Sequence, residues 1–101
     1  MQMTMFELIF TEKADSQLDV LENASDKKII LKAVRKTLGL METNLKHPSL
    51  RTHEYSELAG ANGQKVFESY AQNQTPGAYR IFWHYGPHKK QITVLAIVPH
   101  P

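Results

Sequence analysis

Residues 75–87 read TPGAYRIFWHYGP. Turn-forming residues stand at both ends, and the aromatic and branched run between them, Ala78 to Tyr85, has the composition of a β-strand. Alternation divides this strand into two rows. Tyr79, Ile81, Trp83 and Tyr85 share one face; Ala78, Arg80, Phe82 and His84 share the other. The first row suits a core packed under helices. The second carries a guanidinium that cannot shed its charge and an imidazole that can exchange a proton, so it belongs on an open, concave side. A sheet with one covered and one open face is the starting expectation.

Working outward, Lys65 to Ala71 reads as the preceding strand, and Asn73-Gln-Thr-Pro-Gly77 as the turn between the two. On the other side Gly86-Pro-His-Lys-Lys90 turns the chain into Ile92-Thr-Val-Leu-Ala-Ile-Val98. That near-continuous apolar run is expected to be buried on both faces, as a central strand is. Toward the N-terminus, Met5-Phe-Glu-Leu-Ile-Phe10 reads as a first strand with Phe6, Leu8 and Phe10 on one side. Thr11 is a suitable N-cap for a helix carrying Ala14, Leu18 and Leu21, and Ser25 or Asp26 for a second. In the second, Ile30, Ala33, Val34, Thr37, Leu38 and Met41 recur at helical spacing, opposite Lys27, Lys28, Lys32, Arg35 and Lys36. That basic side reads as a solvated face. Asn44 through Asn62 shows no sustained periodicity and contains Pro48, Gly60 and the Asn62-Gly63 pair, so it reads as a long, partly ordered connection. The order is β-α-α-β-β-β. It implies an α+β fold with two N-terminal helices on one face of a mainly antiparallel four-stranded sheet.

The chain of 101 residues is long enough for one modest core and is read as one domain, 1–101. An apolar fraction of 42% and a charged fraction of 22% are those of a folded protein and exclude a disordered chain. With no cysteine, disulfides and thiolate metal sites are excluded, which is compatible with a cytoplasmic location. MQMTMFELIF has neither a basic segment nor a long apolar run, so a signal peptide is not expected. No segment approaches the roughly 20 apolar residues of a membrane span, and no membrane partner is expected. A net charge of +2 points only weakly to an anionic partner.

The element order, together with Leu58-Ala-Gly60, Gly77-Ala-Tyr-Arg-Ile-Phe-Trp83 and the last strand running into Ile97-Val-Pro-His100, resembles the RelE/ParE toxin superfamily of bacterial toxin–antitoxin systems. The resemblance covers nearly the whole chain, and the Tyr79-Arg80 pair is its most diagnostic part. It implies a cytoplasmic toxin, held inactive by a cognate antitoxin protein, that acts as a metal-independent endoribonuclease on mRNA at the ribosome. The ParE branch of the superfamily acts on gyrase instead. A non-catalytic protein on the same fold, either a gyrase-directed inhibitor or an inactive antitoxin-binding domain, is therefore the alternative.

Metal-free RNA cleavage needs a base for the 2′-hydroxyl, a cation for the charge on the phosphorane and an acid for the leaving 5′-oxygen. By the resemblance Arg80 is the phosphate-binding arginine, a role that suits its planar, doubly donating fork. The other reading of Arg80 is a cross-strand ion pair with Glu68, and the turn before it leaves the register open. The resemblance also makes His100 a general acid or base and puts His53 or Glu54 in an assisting role. His100 read otherwise is a terminal histidine without function. Lys65 stands where ribonuclease members set a row of cations, but here Lys65, Phe67 and Ser69 supply one cation only. His84 shares the face of Arg80. Phe67, Tyr70 and Phe82 are candidates for stacking on bases, with core packing the simpler reading of Phe67. His47 reads as a turn residue and His88 as an exposed hairpin residue. No phosphate-binding glycine loop or nucleophile elbow is present, and nothing calls for a metal or another cofactor, although His53, His84 and His100 could together form a histidine site.

Overall fold

A computed structural model describes residues 5–100; the first four residues of the MQMT stretch read above, and residue 101, lie outside the described residues. In chain order the elements are β1 (Glu7–Phe10), α1 (Glu12–Asn23), α2 (Lys28–Thr43), β2 (His53–Ala59), β3 (Lys65–Tyr70), β4 (Tyr79–Tyr85) and β5 (Gln91–Pro99). The strands form one sheet in the order β1-β5-β4-β3-β2. Pairing is antiparallel from β2 through β5, and β1 joins β5 in parallel. The α+β architecture stands as read from the sequence, with the strand count corrected from four to five.

The additional strand is β2, inside the segment read as a connection. Six of its seven residues are exposed, with Tyr55 half-buried, so no apolar alternation marks it. An edge strand of this kind is held by its ladder to β3 rather than by burial, and hydropathy does not record a ladder. A second correction concerns the centre of the sheet. β4 is the middle strand and is buried along most of its length; β5 lies one place out, with half-buried residues interspersed.

Ile81, Trp83, Ile92, Val94 and Ile97 from the sheet meet Ala14, Leu21, Val34, Leu38 and Met41 from the helices, with Leu50 closing the core from a short 3-10 turn. Phe6, Leu8 and Phe10 pack against the same cluster, as their alternation implied. Each fully buried Ile or Leu contributes about 1.5–3 kcal/mol by leaving water. Thr11 is the N-cap of α1, accepting from the Ala14 amide at 3.1 Å. Neither Ser25 nor Asp26 caps α2. They form a 3-10 turn that enters the helix without a side-chain cap.

Short β1 covers β5 only as far as the Phe10–Val94 pair. Beyond it β5 carries a bulge at Leu95, where Phe82 pairs Ala96 but Trp83 pairs Val94. Helix α1 satisfies the backbone released there. The Thr11 hydroxyl donates to the Leu95 carbonyl at 3.3 Å, and Gln17 Oε1 accepts from the Ile97 amide at 2.7 Å. A docked helix thus replaces the missing ladder, which leaves few buried polar groups unpaired.

Candidate active site on the open sheet face

The turn before β4 passes through Gly77 at φ +69, a left-handed conformation that glycine adopts without steric cost. The Tyr79 amide donates to Gln72 Oε1 at 3.2 Å, and its carbonyl accepts from the amides of Ala71 and Gln72. These contacts fix the register that the sequence left open: Tyr70 opposite Arg80 and Glu68 opposite Phe82. Ile81 and Trp83 therefore enter the core, while Arg80, Phe82 and His84 lie on the face away from the helices.

On that face Glu68 is central. It is 3% exposed; its Oε1 lies 2.7 Å from His53 Nε2 and its Oε2 lies 3.6 Å from Arg80 Nε. Arg80 is 8% exposed. Its Nη1 donates to the carbonyls of Gln72 at 3.0 Å, Ala78 at 3.1 Å and Tyr79 at 3.4 Å. The guanidinium carbon stands 3.7 Å over the Tyr70 ring, whose negative face attracts the cation. Nε has no hydrogen-bond partner, since 3.6 Å is too long for one. The cross-strand ion pair with Glu68 is thus present. The guanidinium is held by a carboxylate, three carbonyls and a ring.

His53 closes the cluster from β2. Its Nδ1 is 3.0 Å from the Arg51 carbonyl and its Nε2 faces Glu68, so both ring nitrogens meet oxygen acceptors. His53 and Tyr70 meet edge to face, as do Tyr55 and Phe82 at 4.9 Å between centroids.

Of the remaining sequence candidates, His100 stands beside this cluster. Val98 pairs Arg80, and the His100 amide donates to the Ala78 carbonyl at 2.8 Å, so alternation gives His100 the same face, one pair further on. His84 shares the face but is four residues, roughly 13 Å, along β4 from Arg80. It is buried, with Nδ1 2.8 Å from the Tyr85 carbonyl. Glu54, Lys65 and Phe67 fall on the other face. Glu54 pairs Phe67 and lies 3.9 Å from Lys65 Nζ, and Phe67 stacks on Trp83 at 4.9 Å. His47 Nδ1 accepts from the Ser49 amide in the Pro48 turn, and His88 is exposed in the β4–β5 turn, both as read. Among the described residues no group of three or more His, Asp or Glu side chains is placed to hold a metal ion.

Sequence reasoning named Glu68 only as a pairing partner and Tyr70 only as a stacking surface, and it overlooked Tyr55. A carboxylate at a position flanked by Val66 and Tyr70 on one face of a strand was the available signal for Glu68. Tyr55 had none, because β2 was not recognised.

No family model matches the sequence, and no curated protein matches it significantly in sequence. Solved structures do match. A YoeB/ParE toxin from Agrobacterium tumefaciens superimposes with TM-score 0.62 and 8% identity, covering 95% of this chain and 100% of that one. An archaeal RelE-RelB complex from Pyrococcus horikoshii gives 0.62 and 11%, with 94% of each chain covered. The YoeB dimer from Staphylococcus aureus gives 0.60 and 10%, covering 95% and 98%. The chain has the RelE/ParE toxin fold. The RelE/ParE fold is thus reached with little sequence in common, through the strand order and the two helices. Among the described residues of this RelE/ParE-fold chain, no helix is long and apolar enough to cross a membrane.

Proposed function

We propose that this protein is the toxin of a toxin–antitoxin pair and a metal-independent endoribonuclease that cleaves mRNA at the ribosome, with an antitoxin as its inhibitory partner. The observation that carries the reading is the gathering of His53, Glu68 and Arg80 on the sheet face away from the helices, beside the position of His100. The Pyrococcus horikoshii neighbour, a RelE-RelB complex, supports an antitoxin partner. In the reaction Arg80 supplies positive potential to the scissile phosphate, and Tyr70 and the carbonyls keep its guanidinium in one orientation. His100 acts as general acid or base, and His53, held by Glu68 and the Arg51 carbonyl, assists it. Glu54 and Lys65 have no part in this reading, because they belong to the other face.

A second reading is a non-catalytic protein on the same fold, directed at gyrase or at an antitoxin alone. It is favoured by the burial of Arg80 and by the Glu68 carboxylate, which offsets the charge that a phosphate would meet. The test is a reconstituted translation mix in which new mRNA 5′ ends are mapped, with Arg80→Lys alongside the parent chain. Codon-phased cuts that vanish in Arg80→Lys support the ribonuclease. Intact mRNA from folded, antitoxin-free protein supports the second reading, and gyrase inhibition is then measured.

A further inference from the structure

A concave feature lies on the opposite side of the sheet from Arg80. It is a groove of about 840 Å³ between the end of α2, the Pro48 turn and β3–β4. That volume is in the range of small-molecule sites, about 300–1,000 Å³. Its walls are aromatic. Phe67 and Tyr85 meet edge to face at 5.6 Å, Phe6 stands 6.1 Å from Tyr85, and Trp83 lies beneath, stacked on Phe67 at 25°. Tyr85, at the end of the central strand, is half exposed.

The mouth is cationic. Lys46 and Arg51 line it, and no lining residue is a carboxylate. Arg51 holds a left-handed conformation at φ 47, uncommon for a residue with a side chain. Its amide donates to Pro48 O at 3.1 Å and its carbonyl faces His53, so this backbone is fixed from both sides. His47 also lines the groove; with Nδ1 accepting from Ser49, its Nε2 is left as a donor.

We infer that this groove is a second ligand site, for a nucleobase carrying a phosphate. A flat ring stacks on Phe67 and Tyr85, and the phosphate meets Lys46, Arg51 and His47. Aromatic walls alone would equally suit an organic cation, but two lysine and arginine charges at the mouth with no carboxylate select the anion. The side chains of this site lie apart from those of the cleavage reading; the two share only the Arg51 backbone, whose carbonyl faces His53.

Such a ligand is either a free nucleotide or one residue of a strand. The experiment is a titration of the ¹⁵N-labelled chain with adenosine monophosphate, and in parallel with adenosine, inorganic phosphate and a five-residue oligodeoxyadenylate, which has no 2′-hydroxyl to be cleaved. Trp83 is the only tryptophan, so its indole N–H, bonded to Ser69 beneath the groove, gives one reporter peak. Adenosine monophosphate is expected to move that peak and the amides of Arg51 and Thr52, more strongly than adenosine or phosphate alone. Arg51→Gly, which suits the left-handed backbone, combined with Lys46→Ala should weaken binding by about tenfold. Tighter binding of the oligonucleotide at the same peaks assigns the site to a strand; binding of the mononucleotide alone assigns it to free nucleotide. No movement at millimolar nucleotide, movement confined to His53 and Arg80, or an unchanged affinity in the double variant would overturn the inference.

Discussion

At the scale of single residues, Glu68 explains how a strand tolerates an arginine at its centre. A guanidinium keeps its charge, so burial demands compensation, and Glu68, three carbonyls and the Tyr70 face supply it. Removing one partner of a buried pair strands the other. Glu68→Gln is therefore expected to lower stability by about 3 kcal/mol in urea unfolding, and adding Arg80→Met should recover part of the loss. A single variant as stable as the parent would mean that the carbonyls alone hold Arg80. Ser69 has a comparable role on the core side. Fully buried, it accepts from the Trp83 indole at 2.9 Å and contacts Thr52 Oγ1 at 2.7 Å. Ser69→Ala should cost about 1–3 kcal/mol, because it leaves a buried indole N–H without an acceptor. Faster hydrogen exchange at that indole would identify the cause.

At the scale of elements, the helices and the inner strands were legible and the edge was not. α2 declared itself through Val34, Leu38 and Met41 at helical spacing, all of which reach the core. β4 declared itself through its aromatic run. β2 was missed because its side chains bury little, and its place is set by the hydrogen bonds of β3. The same gap divided the candidate site. His53 and Glu54 are adjacent in sequence and are alternatives on sequence grounds, yet strand alternation sends them to opposite faces. Without β2 that separation could not be read. Nor could the register that brings Glu68 to Arg80, since a turn of several residues permits more than one. Thr11 was legible as a cap, and the structure gives it a second task at the β5 bulge. Thr11→Ala should therefore cost about 1–2 kcal/mol, at the upper end for a cap. A loss of only a few tenths in thermal unfolding would show that the contact with Leu95 contributes nothing.

At the scale of the whole molecule, the sheet separates two surfaces of different character. One holds the His53–Glu68–Arg80 cluster and His100; the other holds the aromatic groove and the exposed Glu54–Lys65 pair. In the proposed function, RNA cleavage belongs to the first. The most direct measurement compares cleavage rates of the parent chain, His53→Ala and Glu54→Ala on ribosome-bound mRNA, with the fold of each checked by circular dichroism. His53→Ala is expected to lose about 100-fold or more, the usual contribution of a positioned acid or base, while Glu54→Ala stays near the parent rate. Loss in Glu54→Ala with His53→Ala unaffected would put the chemistry on the wrong face and contradict the claim.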